Sequence, residues 1–251
     1  MEQDDQSLAD DLLGSDENER RKVVELRELV KRHDPAAKEV DNATLRRFLR
    51  ARDQDVKKAS QFLSKHLEWR RSAVPNGFIS EAEIKNELSQ RKVFVQGFDK
   101  IGRPIGVVLN ARHDPSKRNL AEFKRFVVYI IDTLCARAGE GQDKFTVIGD
   151  FKDWGFSNLD IRSYLAALDI FQNNYPERLG KAIIVHAPYL FLKTWKIIYP
   201  LIDKNTREKF VFLKDENMTE NLLEYIDESQ LPEIFGGKLP LVPIEESSGL
   251  V

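Results

Sequence analysis

NNYPERLGKAIIVHAPYLFLKTWKIIYPLIDKNTREKF, residues 173–210, contains a complete strand–helix–strand unit in its hydrophobic pattern. KAIIVHAP (181–188) is a short, unbroken apolar run, as expected of a strand buried on both faces. The period then changes. In FLKTWKIIYPLI (191–202), Phe191, Leu192, Trp195, Ile198 and Tyr199 recur at helical spacing, Lys193 and Lys196 flank that face, and Pro200 closes the helix. DKNTRE reads as a short turn, and KFVFL (209–213) as the next strand. Two readings of the aromatic stripe stand open. It packs into a core with its lysines snorkelling at the edge, or it meets a membrane, a partner or a bound lipid.

The same alternation extends upstream. KVFVQG (92–97) and RPIGVVLN (103–110) flank the loop FDKIG and predict a hairpin. Residues 119–138 predict a long amphipathic helix around Leu120, Phe123, Val127, Ile130, Ile131 and Leu134. KFTVIGDF (144–151) is a buried strand, and Ser157 is read as opening a helix that runs to about Asn174. Strands separated by helices predict an α/β fold with a mixed, largely parallel sheet after the first hairpin.

The first third is different in character. Residues 1–15 form an acidic leader with almost no apolar periodicity, and disorder is expected there. Residues 16–75 predict a small three-helix module. Val23, Leu26 and Val30 line the first helix, which starts after Asp16 with Glu19 completing an approximate capping box. Leu45, Phe48 and Leu49 line the second, and Val56, Ala59, Phe62, Leu63 and Leu67 the third, capped by Asp55. VPNG (74–77) is a turn and linker to a second domain spanning 76–245.

Charge is distributed unevenly behind a formal net of −2. Residues 1–19 hold eight acids and no lysine or arginine, whereas residues 20–72 hold sixteen basic residues against eight acids. The basic residues are interleaved with acids on helical patterns and lack aromatic stacking platforms, so nucleic acid is not the expected partner. A solvated surface tuned for anionic membranes fits better. No run approaches the roughly 18–20 apolar residues of a membrane span. The start MEQDDQ lacks a basic, apolar leader, and a single cysteine, Cys135, permits no internal disulfide. A cytoplasmic location is therefore expected.

Catalytic signals are thin. There is no nucleophile elbow, HExxH pair, P-loop or EF-hand loop, and GEGQDK (139–144) lacks the third glycine of a dinucleotide fingerprint. CARAGEG has Gly141 where a cysteine phosphatase loop needs arginine. The four histidines, 33, 66, 113 and 186, are scattered. No enzyme activity, cofactor or metal site is expected.

LRRFLRARDQDVKKASQFL (45–63) resembles the N-terminal helical module of the CRAL-TRIO lipid-binding family. NNYPERLGKAIIVHAP, the greasy helix after it, DKNTREKF (203–210) and LPEIFGG (231–237) resemble that family's lipid-binding domain. Their order and spacing are similar to the yeast-type (Sec-fourteen-like) phosphatidylinositol–phosphatidylcholine transfer proteins over roughly residues 20–240.

The resemblance implies a sheet flooring an apolar cavity, a mobile helical gate over it, and one phospholipid inside. It also implies that a phosphatidylinositol head group is held by Arg52, Glu177, Thr206 and Lys209. Those residue types suit the task. Arginine and lysine meet a phosphate, a helix start offers N–H groups, and a carboxylate accepts from inositol hydroxyls. Phe191, Leu192, Lys193, Trp195, Lys196, Ile198 and Tyr199 would form the gate and its membrane contact. One departure stands out. The hydroxyl side chains that hold phosphatidylcholine in the yeast-type proteins are replaced by Phe94, Val95, Phe145 and Val147, so a different second ligand, a sterol or terpenoid among them, is open. The expected function is transfer or presentation of a phosphoinositide by a monomer that visits anionic membranes transiently. The alternative is a lipid-regulated adaptor that docks to a protein partner.

Overall fold

The computed structural model describes residues 17–249, with side chains described to residue 246. The acidic leader and the expected cap Asp16 lie outside them. The chain divides after Pro75 into two compact units. In the first, α1 (Glu17–Lys31), α2 (Asn42–Arg50) and α3 (Val56–Ala73) bury Val23, Leu26, Val30, Leu45, Phe48, Leu49, Phe62 and Leu63 against one another. Asp41 caps α2 by accepting from the Thr44 amide at 2.5 Å, and Asp55 caps α3 from Lys58 at 3.0 Å. The expected capping box lies outside the described residues through Asp16. The Glu19 carboxylate takes Arg50 at 2.9 Å and Gln54 at 3.3 Å, because α2 and the turn after it come within reach.

The second unit begins with the short α4 (Lys85–Ser89) and is built on five strands: β1 (Val93–Phe98), β2 (Pro104–Leu109), β3 (Phe145–Asp150), β4 (Leu179–Val185) and β5 (Phe210–Phe212). They lie side by side in chain order. β1 runs antiparallel to β2, and every later pairing is parallel. The crossovers carry α5 (Leu120–Ala136), α6 (Ile161–Asn174), and then α7 (Tyr189–Ile198) with α8 (Lys204–Arg207). Crossovers of one hand between successive neighbours put these helices on one face of the sheet. Gly106 lets α5 close onto that face: a β-carbon there would come within 3.2 Å of Leu134. On the other face Phe94, Val107, Ile148, Ile183 and Val185 meet Leu222 and Ile226 of α9 (Met218–Tyr225) and its neighbourhood, with Leu231 and Phe235. Covered on both sides, the central strands need the unbroken apolar runs seen in the sequence. No helix of the described residues is long and apolar enough to cross a membrane.

Two boundaries differ from expectation. Residues 156–158 form a separate 3-10 turn, and α6 starts after Asp160, whose carboxylate accepts from the Ser163 amide and hydroxyl. DKNTRE holds α8 rather than a simple turn, with Asp203 accepting from the Thr206 amide at 2.9 Å.

Asp160 also ends a buried polar chain that ties four segments together. Lys92, entering β1, donates to Glu87 of α4 and to Gln90, and its ammonium lies 2.9 Å from His113 Nδ1. His113 Nε2 lies 3.1 Å from Asp160, which also accepts from Arg118. An ammonium facing Nδ1 requires the neutral ring with its proton on Nε2, donated to Asp160. Burial, reinforced by Lys92, pushes the His113 pKa down. Burial alone would raise the Asp160 carboxyl, but hydrogen bonds from Arg118 and Ser163 outweigh it and hold the group far below its ordinary value.

Both shifts act in one direction. Below about pH 6.5 the unfolded chain takes up a histidine proton that the folded chain refuses, and below about pH 4 the same holds for the aspartate. Stability should therefore fall as pH drops through these two windows. Denaturant melts of His113→Gln should lose the pH 5–7 part of that dependence. Asp160→Asn, which leaves Arg118 and the ring without their acceptor charge, should cost on the order of 3 kcal/mol at pH 7.

Candidate functional site

A cluster of charged residues gathers at the N-terminal edge of the parallel strands. Arg103 directly precedes β2, Lys144 precedes β3, Lys209 precedes β5, and Glu177 lies two residues before β4. Sequential parallel pairing brings these starts to one edge, although the residues are far apart in sequence.

Each is held by its own local device. Asp99 organises the β1–β2 turn. One carboxylate oxygen accepts from the amides of Ile101 (3.1 Å) and Arg103 (2.9 Å), and the other from the Thr146 hydroxyl of β3 (2.8 Å). Before β4, Tyr175 donates its hydroxyl to Asp132 of α5 at 2.8 Å, and Arg178 donates to the Asp143 carbonyl at 3.0 Å. The Phe145 amide in turn donates to the Arg178 carbonyl. Between them Glu177 takes a left-handed backbone, φ 60°, in a Tyr-Pro-Glu-Arg turn. Its carboxylate faces Lys144 at 3.7 Å. α8 delivers Lys209, whose amide donates to the Thr206 carbonyl at 3.1 Å while its own carbonyl accepts from Ala182.

Burial lowers the pKa of Lys209; Glu177 and Asp203 oppose that, while Lys144 and Arg103 add to it. Arg103 lies against Gly180, and its Nε is buried with no hydrogen-bond partner among the described residues. Arg103, Lys144 and Lys209 thus gather at one edge with a single carboxylate, an arrangement able to hold an anion whose neighbouring hydroxyls donate to Glu177.

Of the residues expected from the sequence, the structure brings Glu177, Thr206 and Lys209 to this edge, with Thr206 buried. Arg52 belongs to the N-terminal unit, where it donates to the Ala51 carbonyl and stacks 3.6 Å over the Phe62 ring. Arg103 and Lys144 were missed. The signal for them was a basic residue directly before three strand patterns, RPIGVV, KFTVI and KFVF. Phe94, Val95, Phe145 and Val147 lie in β1 and β3 and present only carbon.

α7 follows the opposite, C-terminal end of β4. Its buried side is Phe191, Thr194 and Ile198, with Trp195 half-buried. Phe191 packs against Phe151 with the rings tilted and centroids 3.8 Å apart, and Trp195 meets Phe210 at 4.6 Å. Leu192 and Tyr199 were expected on this apolar face but are exposed, because they point about 100° round the helix from Phe191 and Ile198. Thr194 fills the vacated position, its hydroxyl donating to the Leu190 carbonyl. Tyr189 and Ile197 are exposed by 73% and 62%, so the outer surface is apolar too. Lys193 sits 4.6 Å over the Tyr189 ring, and Lys196 is exposed. The far end is tied down by Gln172 of α6, which donates to the Leu201 carbonyl and accepts from the Asp203 amide. At the near end His186, φ 51°, bonds Asp150 at 2.8 Å.

Comparison with known proteins agrees with this architecture. The CRAL/TRIO domain model matches residues 88–237. The CRAL-TRIO domain-containing protein YKL091C of Saccharomyces cerevisiae is 31% identical over 221 residues, covering 79% of this chain and 71% of that protein. The phosphatidylinositol transfer protein CSR1 of Eremothecium gossypii is 31% identical over 209 residues, covering 79% of this chain and 47% of that one. The chain spans less than half the length of several curated relatives it matches. The crystal structure of Sfh5 superposes with a TM-score of 0.58 at 22% identity, over 70% of this chain and 66% of that one, which supports the fold. With the domain model matching more than half of the chain and a relative 31% identical over most of both chains, the chain belongs to the CRAL/TRIO domain family.

Proposed function

We propose that the chain binds a single phospholipid, phosphatidylinositol or a related phosphoinositide, and carries or presents it between cytosolic membrane surfaces. The observation that carries this reading is α7, apolar on two sides at once. Inward, Phe191, Trp195 and Ile198 face the sheet. Outward, Tyr189, Ile197 and Leu201 are exposed beside Lys193 and Lys196. An exposed apolar surface flanked by cations suits the boundary of an anionic membrane. Relatives named phosphatidylinositol transfer proteins give further support.

The dimensions also suit a phospholipid. From Gly180 beside the cations to His186 before α7, β4 spans about 20 Å at roughly 3.3 Å per residue. Half the hydrocarbon thickness of a bilayer is about 15 Å. A head group at the cationic edge would then direct acyl chains along β4 towards the aromatic cluster under α7. In this reading α7 is a gate, core-like when closed and membrane-facing when open. The process involves no covalent step and no cofactor.

Native mass spectrometry of the purified protein, with lipid analysis of what it carries, tests the reading directly. A protein that arrives empty and stays empty with phosphatidylinositol liposomes would overturn it and favour the adaptor. Replacing Thr206 and Lys209 together by alanine should leave the protein folded and weaken phosphatidylinositol loading by tenfold or more, since one charged hydrogen bond is worth roughly 1.5–3 kcal/mol. Loading by the double variant measured against vesicles of known composition checks this. The gate is tested by charge. Lys193→Glu with Lys196→Glu leaves the buried side of α7 untouched, so the melting temperature should barely move. Transfer from anionic liposomes should drop, and transfer from neutral ones should change much less. Normal transfer by this variant, with Trp195 fluorescence insensitive to anionic liposomes, would make α7 an ordinary core helix.

A further inference from the structure

The Arg103 guanidinium has no protein acceptor among the described residues. Lys144 already faces Glu177, and Lys209 is influenced by both Glu177 and Asp203. A guanidinium carries five N–H donors, and its Nε here is buried and unmet. Leaving such a donor unsatisfied is costly in a folded protein unless something else arrives to accept from it.

Two features show that the position is prepared. The Arg103 main chain is fixed on both sides, its amide donating to the Asp99 carboxylate and its carbonyl accepting from the Asp99 amide at 2.9 Å each. The guanidinium then lies in the space left by Gly180, where a β-carbon would fall 2.7 Å from its Cζ, Nε and Nη1. Only a residue with no side chain at position 180 allows the arginine to lie where it does.

We propose that Arg103 is the principal phosphate ligand of this site, with Lys209 and Lys144 as flanking charges and Gly180 as the residue that makes room for it. This rests on the lipid-binding reading above and specifies the part of the site that takes the head-group phosphate. Arginine presents paired donors in a planar fork matching two oxygens of a phosphate ester, which a lysine cannot do. Glu177, held by its turn and paired with Lys144, is then left for hydroxyl groups rather than for the phosphate. The chemistry recognised is a phosphate ester, either on a lipid or on a free inositol phosphate.

Gly180→Ala provides the sharpest test, because it keeps every charge. The added methyl meets only the flexible end of Arg103, so the guanidinium moves and the fold stays. Wild type, Gly180→Ala, Arg103→Gln and Arg103→Lys would be compared for phosphatidylinositol uptake from mixed phosphatidylcholine vesicles. Calorimetric titration with inositol 1-phosphate and thermal melts would accompany each. Gly180→Ala and Arg103→Gln should melt near wild type and lose about tenfold or more in both assays, while Arg103→Lys should lie between. Wild-type affinity in folded Gly180→Ala and Arg103→Gln would overturn the proposal. If wild type binds inositol 1-phosphate but takes up no phosphatidylinositol, the phosphate site stands and the lipid reading falls. If wild type binds neither, both fall.

Discussion

The carboxylate of Asp99 joins the two styles of pairing in the sheet. An antiparallel hairpin has to be set beside a parallel β3, and the turn that makes the hairpin also carries Arg103. Asp99 does both by taking two turn amides on one oxygen and the Thr146 hydroxyl on the other. It is 9% exposed, so its hydrogen bonds are made in a setting where an unmet charge is expensive. The register of β2 against β3, from Ile105 opposite Thr146 to Leu109 opposite Asp150, starts beside this contact. Everything downstream, including the alignment of strand starts that gathers Arg103, Lys144 and Lys209, inherits that register.

In open parallel sheets ligands usually meet the C-terminal ends of the strands, where helix N-termini collect. This sheet divides the work differently. Its N-terminal edge carries the cations, while its C-terminal end carries aromatic side chains from Phe151, Trp154 and Phe191. A ligand that is charged at one end and oily at the other matches that division, whereas a small polar substrate would use only one end. The paired His186 and Asp150, which alone would resemble half of a catalytic constellation, sit at the oily end directly before α7 and close β4 with a left-handed residue.

The alternation of strands and helices was legible because a strand covered on both faces has no choice but an apolar run, as KAIIVHAP and KFTVIGDF show. Asp55 was legible as a cap because an acid directly before a helical apolar pattern has few other uses. Ser157 was misread as a helix start because serine and aspartate carry the same local signal, and only the Ser163 contacts of Asp160 decide between them. Leu192 and Tyr199 were misplaced because an apolar residue fits the periodic template whether or not anything covers it. Arg103 and Lys144 stayed hidden for another reason. A basic residue before a strand pattern is a common sight, and only the register that places Arg103 against Gly180, seventy-seven positions later in the chain, sets this one apart.

The left-handed backbone of Glu177 bears on how such a site persists. For a residue with a β-carbon this conformation costs of order 1–3 kcal/mol, and a type II turn has glycine as its natural occupant there. Glycine at that position would relax the Tyr175–Arg178 turn and could be reached without disturbing the Arg178 and Tyr175 anchors on either side. A lineage under selection for thermal robustness alone would drift towards it. Retaining the carboxylate instead means accepting a less durable fold so that one oxygen pair faces Lys144. The turn thus sets backbone ease against a charged contact, so a gain in one would be read as a loss in the other.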